Sequence, residues 1–124
     1  MGNTKFNISK EAKEIIDSLK VVLDIDDTPT VLKLGLAKGI ATLDPTEKIE
    51  KFERSGQWLV PENVIKDRDY LLFKHLIIND LDTIISDADI NKYFAFYIEK
   101  GLRLIQTQID GKTSFDDIRI TILS

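Results

Sequence analysis

FNISKEAKEIIDSLKVVLDIDDTPTVLKLGLAKGIATL, residues 6–43, is the stretch whose reading decides the fold. Phe6 and Ile8 alternate with Lys5, Asn7 and Ser9, a period of two that suits a short half-exposed strand. Ser9 precedes a run of good helix formers and is placed to cap a helix. That helix carries Ala12, Ile15, Ile16, Leu19, Val22 and Leu23 as one apolar stripe, with most of its charges off the stripe. In the turn that follows, Thr28 is expected to cap the next helix, with Pro29 at its first position, where a missing N–H costs nothing. From Val31 to Leu43 only Lys33, Lys38, Thr42 and two glycines interrupt the apolar run. A helix that is apolar nearly all round belongs in an interior. In a chain of 124 residues that interior is expected to be shared with a second copy, so a homo-oligomer, dimer or tetramer, is anticipated.

Outward from this stretch the chain turns polar. Residues 45–54 read as a brief surface helix aided by Glu47 and Lys51 at i and i+4. Trp58, Leu59 and Val60 form an extended apolar patch before Pro61. A long helix is expected over 62–79, and another from the Ser86/Asp89 capping pair through Ile90, Tyr93, Phe94, Tyr97, Ile98, Leu102, Ile105 and Ile109. Gly101 inside that helix costs about 1 kcal/mol relative to alanine, which marks a close-packing position. Gly35 and Gly39, four apart, read as a close helix contact. Ile118, Ile120 and Ile122 alternate after a turn at Asp110 and Gly111, which predicts a C-terminal strand paired with the N-terminal one in the same or a neighbouring subunit. The expected fold is mainly α, a helical bundle with a short N-terminal strand and ribbon-helix-helix character. It forms one domain over 1–124, divided into a core (6–43), a helical half (62–109) and a terminal turn and strand (110–124).

The bulk numbers narrow the function. The net charge of −4 gives no general attraction for nucleic acid, so any such contact must be a local patch. With no cysteine there is no disulfide, thiolate metal site or cysteine nucleophile. The N-terminus lacks a signal-peptide pattern and no apolar run approaches the roughly 20 residues of a membrane helix, so a cytoplasmic protein away from the membrane is expected. His75 is the sole histidine and has apolar neighbours. Asp24, Asp26 and Asp27 lack the glycine and glutamate of a calcium loop, and no phosphate-binding glycine motif occurs. Neither an enzyme, a metal nor a cofactor is expected.

Two architectures fit the opening. In a ribbon-helix-helix module two chains pair their N-terminal strands and present alternate side chains to a DNA groove. The presented set would be Lys5, Asn7 and Ser9, residue types suited to phosphate and base contact. Lys10, Lys13 and Lys20 of the following helix complete the candidate nucleic-acid-binding set. The alternative is an oligomeric helical domain whose strand merely closes the core.

Three stretches together resemble the DndE family of the bacterial DNA phosphorothioation system: Ile8-Ser9-Lys10-Glu11-Ala12 followed by Leu19-Lys20; Thr30 to Ile40 with Leu32, Leu36 and Ala37; and Phe96 to Leu104, where Gly101 follows Lys100. The likeness rests on their order and spacing over residues 6–108. It implies a helical, ribbon-helix-helix-like homo-oligomer that binds duplex DNA with a preference for nicks. It also implies work alongside other Dnd proteins of this restriction-modification system, without catalysing sulfur transfer itself. Three features depart from the family's pattern. Val21 and Val22 follow Lys20 where a basic cluster is usual, and the turn Asp24-Ile25-Asp26-Asp27 lacks the usual glycine. Lys100-Gly101 stands for an arginine-glycine step, with Ile98 at an often polar position. A protein-protein scaffold of a modification or defence complex, and a ribbon-helix-helix transcriptional regulator, are the other readings.

Overall fold

The computed structural model describes residues 2–42 and 57–110. In chain order these form β1 (Phe6–Ser9), α1 (Lys10–Val22), α2 (Thr28–Thr42), β2 (Gln57–Val60), α3 (Asp67–Leu81) and α4 (Asp87–Asp110). The expected mainly helical bundle with an N-terminal strand is what is found. The expected surface helix over 45–54 and the C-terminal strand lie outside the described residues.

α4 is the axis of the fold. At 24 residues it spans about 36 Å, and of the helically spaced set expected inside, Ile90, Phe94, Tyr97, Ile98, Leu102 and Ile105 are buried while Tyr93 and Ile109 are partly buried. Ala95, Phe96 and Glu99 are buried as well, so its middle is surrounded on every side. Its start is fixed as expected, with the Asp89 N–H donating to Ser86 Oγ at 3.2 Å. α2 packs chiefly against α4, burying Val31, Leu32, Gly35, Leu36 and Gly39 and leaving Ala37, Ala41 and Thr42 outward. The apolar character of α2 is thus largely satisfied within one chain.

That contact is built on glycine. A Cβ on Gly101 would overlap the Gly35 carbonyl oxygen and lie 2.8 Å from the Gly39 nitrogen, and one on Gly39 would overlap the Tyr97 carbonyl. Backbone meets backbone there, as the spacing of the three glycines anticipated.

Two local expectations are corrected and a third is sharpened. Asp27, not Thr28, caps α2: its carboxylate accepts from the Thr30 N–H at 3.3 Å and the Thr30 hydroxyl at 2.8 Å. The helix expected over 62–79 begins only at Asp67. Residues 62–66 are held instead by buried Asn3, whose N–H donates to Ile65 O and whose carbonyl and Oδ1 accept from the N–H groups of Asn63 and Ile65. Asn63 is left-handed at φ 58°, which stops a helix. Finally, β1 finds its antiparallel partner in β2, Phe6 opposite Val60 and Ile8 opposite Trp58. The patch read as merely extended is a strand.

Candidate nucleic-acid interface

The β1–α1 unit positions all six candidate residues, and the structure sorts them into three places. Phe6 and Ile8 point into the core, so alternation turns Asn7 away, half-buried, while Lys5 just before the strand is exposed. Ser9 is wholly buried and is no part of a presented surface. Its hydroxyl accepts from the Ala12 N–H at 3.1 Å, the helix cap expected of it, and donates to Glu99 Oε2 at 3.0 Å. Its own N–H donates to Glu99 Oε1 at 2.6 Å. The expectation that Lys5, Asn7 and Ser9 face a groove together is therefore corrected at Ser9, because the strand-to-helix junction needs the hydroxyl inside.

Glu99 was not singled out in the sequence. Its fully buried carboxylate ties α4 to the start of α1 and also accepts from Arg103 at 3.2 Å. A buried carboxylate survives when its oxygens are satisfied, and here three donors converge on two oxygens. Only its place on the inner face of an apolar helix could have flagged it.

Lys10, Lys13 and Lys20 stand on α1 with spacings of three and seven. Helical periodicity puts Lys13 and Lys20 on one flank of the buried Ala12-Ile16-Leu19 stripe and Glu11 and Glu14 on the other. Lys10 is exposed beside them. The Lys13 ammonium lies 5.3 Å from the centre of the Trp58 ring and 2.5 Å from Asp17. Lys20 is apart from the rest at the other end of α1, within 3.4 Å of Thr28 Oγ1 at the start of α2.

The acidic turn follows Lys20. α1 ends in a Schellman arrangement, with Ile25 N–H donating to Lys20 O at 3.0 Å, Asp24 N–H to Val21 O at 3.3 Å, and Asp24 in the left-handed region at φ 55°. Asp27, bound by the Thr30 hydroxyl and backbone, has its carboxyl held below the usual range. Thirteen residues of helix separate this turn from Lys10, about 20 Å, against a screening length of roughly 8 Å in physiological salt. The turn does little to cancel the field at Lys10.

Among the described residues no group of three or more His, Asp or Glu side chains is placed to hold a metal, and no helix is long and apolar enough to cross a membrane. His75 is exposed on α3. No protein-family model, curated protein or solved structure matches the chain.

Proposed function

We propose that this protein is a non-catalytic DNA-binding accessory component of DNA phosphorothioate modification, of the DndE kind. In this reading it acts as a homo-oligomer on duplex DNA beside other Dnd modification proteins. One observation carries the DNA-binding part: Lys10 and Lys13 stand in the first turns of α1 and Lys5 just before β1, while the acids of the turn stand at the other end of α1. Lys5 and Lys10 supply what a phosphate backbone requires, exposed cationic side chains, and Lys13 is half-buried against Trp58. Asp17 holds Lys13 only through an exposed pair, which is worth little and yields to a phosphate.

The other readings find less support. A ribbon-helix-helix regulator needs its strand paired with a second chain and read from one face, whereas β1 pairs with β2 and Ser9 points inward. A scaffold docking near residues 58–60 would have chiefly Leu59 to hold, which is 47% exposed, since Val60 is buried and Lys13 lies over Trp58.

The test is duplex binding by the purified protein on intact and nicked DNA of one sequence. Tighter binding to the nicked duplex, falling steeply with salt, is expected. Absence of binding at low salt refutes the proposal.

A further inference from the structure

α3 turns Tyr70, Phe73 and Ile77 into the core and leaves Leu71, Leu72 and Leu76 outward at 44%, 54% and 38% exposure. Arg68, Leu72, Leu76 and Asp80 follow at intervals of four, so they form one ridge along the outer face. Other charges of the helix are engaged within the chain: Asp69 pairs with Lys33 at 2.9 Å and Lys74 with Asp87 at 2.5 Å. Arg68 and Asp80 are exposed and have no ion-pair partner among the described residues.

The order of charges on this ridge is the reverse of what its own helix favours. A helix prefers an anion near its N-terminus and a cation near its C-terminus; the first turn of α3 has Asp67 and Asp69 off this ridge, but the ridge itself carries Arg68 near the first end and Asp80 near the last. A second copy laid antiparallel removes the conflict. Arg68 then meets the partner's Asp80 at the negative end of that helix, and Leu72 packs on the partner's Leu76. Because the ridge is cation, leucine, leucine, anion, the same match forms twice about a two-fold axis, which is the requirement of an isologous dimer.

We infer that the outer face of α3 is the seam of an antiparallel homodimer of this chain. The inference rests on the proposed function only for its expectation of a homo-oligomer, and it gives that oligomer a surface away from the lysines of β1–α1.

The test is sedimentation of the full chain without DNA over a micromolar concentration series, with circular dichroism confirming that each variant is folded. The native chain dimerises. Arg68→Asp alone and Asp80→Arg alone each place like charges in both contacts and weaken association by about tenfold or more. Combining them restores opposite charges and returns the affinity to near native, a rescue that no unrelated interface provides. Leu72→Glu with Leu76→Glu yields monomer. A native chain that stays monomeric, single charge reversals without effect, a combined variant no better than either single, or an undiminished dimer in the leucine variant each overturns the seam. Duplex binding by the same proteins reads the functional proposal separately. A dimer that binds no DNA refutes that proposal and leaves the seam, whereas a monomer that binds DNA overturns the seam and the homo-oligomer part of the proposal while leaving its DNA-binding part.

Discussion

Gly101 of α4 rests directly on Gly35 of α2, so close that the first carbon of any side chain on Gly101 would overlap the Gly35 carbonyl oxygen. α2 and α4 are thereby locked at backbone contact, and the consequences of adding a methyl group differ from glycine to glycine.

Gly101→Ala gains about 1 kcal/mol of helix propensity but forces apart two backbones, and a net loss of about 3 kcal/mol is expected. Gly39→Ala, which meets the Tyr97 carbonyl, follows closely. Gly35→Ala meets the Leu102 side chain at 2.8 Å, which has rotamers to yield with, and costs about 1 kcal/mol. Urea unfolding midpoints give the ranking; equal losses at Gly35 and Gly101 would contradict this geometry.

Ser9 and Glu99 act as one unit. Ser9→Ala removes a helix cap and a buried hydrogen bond and is expected to cost about 2 kcal/mol. Glu99→Ala strands the Ser9 N–H and costs about 3 kcal/mol. Since they share a bond, the double variant loses less than the sum, by about 1 kcal/mol in a double-mutant cycle of denaturation curves.

Asp24→Gly is expected to stabilise the protein by about 0.5–1 kcal/mol, because Asp24 occupies the left-handed closing position of α1 that glycine takes without strain. The melting temperature should rise.

The Tyr70–Asp87–Lys74 group makes stability depend on pH at both ends. Asp87 is held below the ordinary aspartate range by the Lys74 ammonium first and the Tyr70 hydroxyl second. Its contribution is present above the ordinary aspartate pKa and lost as pH falls through the lowered one. Tyr70 is pushed up to about 12 by burial, aided by its bond to Asp87 at 2.9 Å. That contribution is complete below the ordinary tyrosine pKa of 10.0 and lost as pH rises toward about 12. In Asp87→Asn, melting temperatures should lose part of their fall on the acid side, and tyrosinate absorbance should place Tyr70 lower than in the native chain but still above the ordinary value, because burial remains.

The helices were legible where one periodic face meets one core. The stripe of α1 and the long apolar set of α4 fall where their spacing puts them, and Ser9 and Ser86 cap as their positions require. What was not legible depends on distant partners. The segment 62–66 has helix-compatible residues, and only Asn3, some sixty positions away, draws its backbone into other bonds. The pairing of β2 with β1 is non-local in the same way. At the candidate interface the residue types and the place of Lys20 far along α1 were visible, but the inward turn of Ser9 is set by Glu99, which lies on another element.

The most direct measurement of the central claim is the salt dependence of duplex binding for four proteins: the native chain, Lys5→Glu/Lys10→Glu/Lys13→Glu, Lys20→Glu and Asp17→Asn. Each phosphate a lysine neutralises steepens log Kd against log salt by about 0.9. The triple variant should lose affinity and flatten that slope, whereas Lys20→Glu, at the far end of α1, should leave the slope near native. Asp17→Asn, which frees Lys13, should bind more tightly. A slope unchanged in the triple variant, or lost equally in Lys20→Glu, would contradict the placement of DNA on the β1–α1 end.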